Sequence, residues 1–229
     1  MKLENITDIF FDLDHTLWDF EKNSDLAFQT IFKNHQLPVA IDDFLVHYPS
    51  VNKKYWALFR EDKITHDELR YLRLKETFTL NEVSVSDEVI AAIAQEYIEL
   101  LPSSHHLYEG TLDILNYLKP KYNLHIITNG LHEVQAKKLT SSKIAHYFVS
   151  VTDSESTGAK KPNPTIFNHA LSINGLKAEK ALMIGDCIEA DVRGAIHVGM
   201  KAIHFDEFFD ATHQDAIIIN KLAELKNYL

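Results

Sequence analysis

The chain has 229 residues, 45% of them hydrophobic, one cysteine and a formal net charge of -10, which is apolar material enough for one large domain or a domain carrying an insertion. An acidic balance of this size excludes a nucleic-acid polymer as the expected partner, because gripping a polyanion takes a basic footprint; a small anionic substrate stays open if a metal, a lysine or helix N-termini supply a local positive field. The lone Cys187 has no internal partner for a disulfide, and the first apolar run, Ile9-Phe10-Phe11, falls far short of the roughly 18 residues of a membrane span, so neither export nor membrane anchoring is expected and a reducing cytoplasm is the expected compartment.

In chain order, the first strand-like run is Ile6 to Phe11, and it ends in Asp12-Leu13-Asp14-His15-Thr16. More than about a hundred residues follow before the next such run, too long for an ordinary crossover. That stretch carries helical stripes at Ala27, Phe28, Ile31 and Phe32, at Val51, Tyr55, Leu58 and Phe59, and at Val89, Ile90, Ile93, Ala94, Tyr97, Ile98 and Leu101. The simplest account is an inserted helical cap over residues 19–104, with the core made of 1–18 and 105–229. Thr111 to Lys119 is then the helix that returns the chain to the core.

Leu124 to Ile127 reads as the second strand and ends in Thr128-Asn129-Gly130. Tyr147 to Val151 is the third and leads to Lys160-Lys161-Pro162. Asn163-Pro164 is a helix cap followed by a proline suited to the first helical position, and Ile166, Phe167, Ala170 and Leu171 form the stripe behind it. Ala181 to Ile184 is the fourth strand, ending in Gly185-Asp186 with Asp191 five residues on, and Lys201 to Phe205 is the fifth. Runs that are apolar throughout suit strands covered on both faces. The expected fold is therefore α/β: a Rossmann-like, doubly wound parallel sheet with an inserted helical cap domain.

In an open parallel sheet the ligand sits beyond the carboxyl ends of the strands, where Asp12, Asp14, Thr128, Asn129, Lys161, Asp186 and Asp191 would converge. Carboxylates gathered there repel and raise one another's pKa unless a cation neutralises them, and a hard all-oxygen site of carboxylates, waters and phosphate suits magnesium, with Asp12 and Asp186 as the obvious ligands. A carboxylate can attack phosphorus if a second group protonates the leaving oxygen and later activates water, and two carboxylates one residue apart can divide those roles. Charge building on the phosphoryl oxygens calls for fixed donors, for which Thr128, Asn129 and Lys161 are the right types.

The order DLDHT, IITNG, KKPNPTIF, GDCIEAD resembles the four motifs of the haloacid dehalogenase-like superfamily over nearly the whole chain. The resemblance implies that Asp12 is the nucleophile and a metal ligand, and that Asp14 is the general acid and base whose backbone carbonyl also meets magnesium. It implies that Thr128 binds phosphate, that Lys161 balances the charge of nucleophile and phosphate, and that Asp186 completes the metal site with Asp191 behind the ligands. It places the insertion where the family carries a helical cap of the C1 type, which closes over the substrate and excludes water. Dehalogenating members generally lack an acid at the position of Asp14, so the sequence resembles a phosphoryl-transfer member. LDHTLWDF, VNKKYW followed by ITHDELR, and IITNG resemble the noncanonical pyrimidine nucleotidase branch, which implies a 5'-nucleotidase acting on a nucleoside monophosphate. The segment Ser154 to Lys160 departs from the small apolar run that branch often shows before its lysine, and it adds a second lysine; Lys161 is the better match because Pro162 follows it.

Plainer readings bear on the remaining residues. The thirteen histidines, with His105-His106 among them, form no HExxH or Cys/His cluster of zinc spacing and read as surface or hinge groups. Trp56, Tyr55 and Phe59 have the spacing of core packing more than of a base-stacking platform. Asn52 and Lys53 read as polar groups on the cap surface, and Cys187 as a small loop residue without a role. A sugar-phosphate phosphatase or phosphomutase of the same superfamily, and a non-catalytic phosphate- or partner-binding protein, are the alternatives to a nucleotidase.

Overall fold

The computed structural model describes residues 2–229; Met1, the first residue of the expected core, lies outside the described residues. The chain divides into two compact units, Met1–Phe20 with His105–Leu229, and Glu21–Ser104.

The first unit is built on six strands, β1 (Asp8–Phe11), β2 (Asn123–Thr128), β3 (Phe148–Asp153), β4 (Ala181–Gly185), β5 (Lys201–Phe205) and β6 (Ile217–Ile219). They lie in the order β3-β2-β1-β4-β5-β6, and every pairing is parallel. The helices α1 (Phe20–Asn34), α2 (Ile41–Arg60), α3 (His66–Leu80) and α4 (Asp87–Leu100) form the second unit. They are followed by α5 (Thr111–Leu118), α6 (His132–Ser141), α7 (Ser154–Thr157), α8 (Pro164–Ile173) and α9 (Gly194–His197), which connect the strands. This is the expected doubly wound α/β sheet. Strand order reverses at β1 and β4, so the crevice that such a sheet offers to a ligand opens beyond Phe11 and Gly185.

All four residues of β1 and all five of β4 are buried, as befits central strands covered on both faces. Phe10, Ile127 and Met183 from the sheet pack with Ile166, Phe167 and Ala170 of α8 and Ala195 of α9 in one buried cluster. Asn163 accepts a hydrogen bond from the Thr165 N–H at 3.0 Å and Pro164 follows it, so α8 starts where the cap and proline predict. The core also holds a polar strip. The ring of His125 lies 3.1 Å from Asp8 Oδ1 and 2.8 Å from Ser150 Oγ, tying three strands together. Burial lowers the pKa of His125 despite the neighbouring Asp8.

Three strand expectations need correction. The first strand begins at Asp8 rather than Ile6, and Tyr147 belongs to a 3-10 turn before β3. Val149 and Val151 are exposed because β3 is an edge strand, so its apolar character does not signal cover on both faces. The sixth strand, Ile217–Ile219, was not foreseen, because three isoleucines without a flanking pattern carry too short a signal.

Within the helical unit, Phe28 is the hub. Its ring centroid lies 5.0 Å from that of Phe44, 4.5 Å from that of Tyr48 and 4.7 Å from that of Tyr97, which joins α1, α2 and α4. Tyr55 and Phe59 are buried with Val51 and Leu69, and Trp56 packs against them, which is the packing role their spacing indicates. Thr65 caps α3 reciprocally with Glu68. Asn52 corrects its surface reading: it is buried and accepts a hydrogen bond from Arg73 Nη1 at 2.9 Å.

Candidate active site

Asp12 is set by the end of β1, where its N–H donates to the Ile184 carbonyl at 2.9 Å and carries the β1–β4 pairing one residue further. The chain then curls: the carbonyl of Leu13 accepts from the N–H groups of Thr16, Leu17 and Trp18, and His15 takes the left-handed conformation at φ 60°. The same turn brings Thr16 Oγ1 to 3.5 Å from Asp186 Oδ1, across to the end of β4.

Lys161 is the centre of charge. Its Nζ donates to Asp12 Oδ1, to Asp191 Oδ1 and to the Ile127 carbonyl at 2.6, 2.6 and 2.7 Å, and the side chain is buried. Burial works against its charge, yet Asp12 and Asp191 outweigh it and raise its pKa, so the lysine is a fixed cation. Lys161, the lysine directly before Pro162, thus reaches the carboxylates of Asp12 and Asp191. Asn129 holds the lysine's main chain: the Lys161 N–H donates to Asn129 Oδ1 at 2.7 Å, and Asn129 Nδ2 donates to the Lys161 carbonyl at 3.0 Å. The Asn129 carboxamide is therefore engaged as a brace.

Carboxylate oxygens of Asp12, Asp186 and Asp191 lie within 4.8 Å of one another. Burial raises the Asp12 pKa well above the usual range, with Asp191 and Asp186 adding to the rise and Lys161 opposing it. Asp186 is pushed up to about 7, again by burial first and then by Asp191. One lysine does not balance three acids, and a hard divalent cation fits the deficit. Asp191 is already spoken for: Oδ1 takes Lys161, and Oδ2 accepts the Cys187 N–H at 3.0 Å. Asp12 and Asp186 are left as the carboxylates with room for a metal.

Asp14 and Thr128 meet through a residue the motifs do not contain. Gln135 Nε2 donates to Thr128 Oγ1 at 2.6 Å and to Asp14 Oδ2 at 3.0 Å, and Lys138 Nζ donates to Asp14 Oδ1 at 2.6 Å. Both side chains are buried. Sequence reasoning missed them. The one available signal is negative: α6 has its polar Gln135 and Lys138 beside Leu139 on the buried side, where an ordinary amphipathic helix carries apolar residues.

These elements define a protein of the doubly wound α/β class, with its cluster of acids and lysine at the switch point of a parallel sheet. The family model of haloacid dehalogenase-like hydrolases matches residues 8–199, and the chain belongs to that family; the protein is an enzyme. It is 32% identical to the HAD-hydrolase YfnB of Bacillus subtilis over 84% of this chain and 80% of that one. A YfnB structure bound to magnesium superposes with a TM-score of 0.88 at 28% identity, covering 98% of each chain. The pyrimidine 5'-nucleotidase PynA of Streptococcus pneumoniae is 30% identical over 91% of this chain and 87% of its own. A glyceraldehyde 3-phosphate phosphatase of Pyrococcus abyssi is 32% identical over 86% and 80%.

Proposed function

We propose that the protein is a magnesium-dependent phosphomonoesterase that works through an aspartyl phosphate on Asp12 and takes a nucleoside monophosphate, with a pyrimidine base, as substrate. The observation that carries the chemistry is the buried Asp12–Lys161–Asp191 contact beside Asp186, with Asp14 and Thr128 joined close by through Gln135. A carboxylate pinned by a cation in a buried site is oriented for in-line attack.

Asp12 attacks phosphorus as the bond to the leaving oxygen breaks, and Asp14 gives that oxygen its proton. Asp14 then takes a proton from water, whose oxygen attacks the same phosphorus, releasing inorganic phosphate and regenerating Asp12. Thr128 Oγ1 would donate to the phosphoryl oxygens, and the Lys161 charge would balance the nucleophile and the charge that gathers on the phosphate. Asp12, Asp186 and the Asp14 carbonyl would hold magnesium, which when bound would supply further charge neutralisation at the phosphate. Substrate selection is assigned to the helical segment 19–104. The single cysteine supports a reducing, cytoplasmic setting.

The nucleotide rests on the likeness to PynA. A triose phosphate is the second reading, favoured by the equal likeness to the archaeal glyceraldehyde 3-phosphate phosphatase. Phosphate release from pyrimidine and purine monophosphates, sugar phosphates and glyceraldehyde 3-phosphate, with magnesium, separates the two. Asp12→Asn should abolish release from whichever substrate is best. A wild-type protein that releases no phosphate from any of them overturns the proposal.

A further inference from the structure

Helix α6 sends two buried polar side chains, three residues apart, to the two groups that flank the reacting phosphorus in the proposed reaction. Gln135 Nε2 stands 2.6 Å from Thr128 Oγ1 and 3.0 Å from Asp14 Oδ2. Lys138 Nζ stands 2.6 Å from Asp14 Oδ1 and 4.4 Å from the centre of the Trp18 ring, whose face favours a cation.

Thr128 Oγ1 also accepts the Gly130 N–H at 3.1 Å. A hydroxyl has two lone pairs and one hydrogen. With both lone pairs taken by Gly130 and Gln135, the Thr128 hydrogen is left to donate, which is what a phosphoryl oxygen requires. The amide orientation of Gln135 is dictated by charge: reversed, its carbonyl oxygen would face the Asp14 carboxylate. The cost is visible, because Gln135 Oε1 is buried with no hydrogen-bond partner, an arrangement proteins generally avoid. The main chain also gives way to this side chain. A Cβ at Gly130 would lie 2.6 Å from Gln135 Cδ and Nε2.

We propose that Gln135 and Lys138 are positioning residues: Gln135 forces Thr128 into the donor role, and Gln135 and Lys138 together hold both oxygens of Asp14 so that its carboxyl group meets the leaving oxygen in one orientation. The inference rests on the phosphoryl-transfer reading given above and adds two residues to it. It assigns them separable effects. Losing Lys138 harms the step in which Asp14 protonates the leaving oxygen, so the damage depends on how much that oxygen needs a proton. Losing Gln135 also weakens the grip on the phosphoryl oxygens, whatever the leaving group.

The test compares p-nitrophenyl phosphate, whose leaving group departs without help, with a nucleoside monophosphate, whose alkoxide does not. Lys138→Met should lower kcat on the nucleotide by about 10²-fold, the scale of a general acid, and on the aryl ester by less than about tenfold; Lys138→Arg should recover most of the loss. Gln135→Leu should raise KM for both esters, and the inhibition constant of vanadate, by about tenfold, one good hydrogen bond. Where a truncation does not fold, Gln135→Glu and Lys138→Arg carry the test, the first expected to lose vanadate affinity and the second to keep the leaving-group ratio. Equal losses on both esters that follow the thermal midpoint would make the pair merely structural and overturn the inference. If wild type turns over both esters and Asp12→Asn does not, a missing split sinks this inference alone; if wild type turns over neither, the phosphatase reading falls and takes this one with it.

Discussion

Asp191 stands where a side chain on Gly185 would be: a Cβ built on Gly185 would lie 2.3 Å from Asp191 Oδ2 and 2.6 Å from Asp191 Cβ. The glycine before Asp186 therefore does not serve an unusual backbone angle but makes space for the acid that anchors Lys161. Because the obstructing atoms include Asp191 Cβ, the side chain cannot simply swing away. Gly185→Ala should cost about 1–3 kcal/mol through overpacking, and it should displace Asp191 from Lys161. A lowered thermal midpoint together with reduced kcat is the expected result, and an alanine variant with wild-type values of both would contradict this account.

Asn129 and Lys161 exchange two hydrogen bonds between a carboxamide and a main chain, so the asparagine after Thr128 sets where the lysine stands. Asn129→Ala removes both and should cost about 1–3 kcal/mol of stability. Lys161 Nζ would lose part of its fixed reach to Asp12, and kcat should fall by about tenfold or more, on the scale of misplacing a catalytic group. Steady-state kinetics beside a urea titration would check both. Unchanged kcat with lowered stability would show that the brace does not reach the chemistry.

The contrast between Asp186 and Gln135 explains how much of this site can be read without coordinates. Asp186 follows Ala181 to Gly185, a run buried end to end, so a polar group there marks the carboxyl edge of a central strand, and the parallel α/β rule does the rest. Asp12 and Thr128 are legible for the same reason. Gln135 and Lys138 lie on a helix whose buried side is polar, so periodicity, the main signal for burial, is erased at the very residues that matter. Asn129 shows a different gap: residue type suggests a donor for phosphate but does not say that the carboxamide is bonded to the Lys161 main chain, 32 residues away. Asn52 fails likewise, since an asparagine beside three apolar positions gives no hint of a buried arginine on the next helix.

That arginine makes a test of the helical unit by itself. Asn52 Oδ1 accepts from Arg73 Nη1 at 2.9 Å, and the guanidinium carbon lies 4.9 Å from the centre of the Tyr97 ring. Asn52→Leu leaves a buried cationic N–H without its acceptor and should destabilise by about 1–3 kcal/mol. Replacing both partners, Asn52→Leu with Arg73→Met, should restore part of that loss, because an apolar pair leaves no orphaned charge. A double-mutant cycle by chemical denaturation measures it. A double variant no more stable than Asn52→Leu alone would locate the cost in packing instead.

The acid cluster predicts a pH dependence of definite sign. Asp186 is raised from the ordinary 3.8 to about 7, by burial first and then by the Asp191 carboxylate. A carboxyl with a higher pKa in the folded chain holds more protons there than in the unfolded chain, so between pH 3.8 and about 7 its contribution to stability falls as pH rises. The favourable part is complete below that window and lost above it, where the buried charge must be borne in full. With EDTA present, Asp186→Asn should therefore melt above wild type at pH 8, by about 2–4 °C for each kcal/mol relieved in a chain of this size, and the gap should close towards pH 5. Excess magnesium chloride at pH 8 should reverse the order if Asp12 and Asp186 hold the proposed cation, which would stabilise wild type by mass action while the variant has lost one carboxylate. Melting curves at pH 5, 6, 7 and 8, with EDTA or magnesium, read out both effects. A gap that stays constant across the series would mean that Asp186 carries no more strain as an anion than as an acid, and that its burial beside Asp191 is already compensated within the protein.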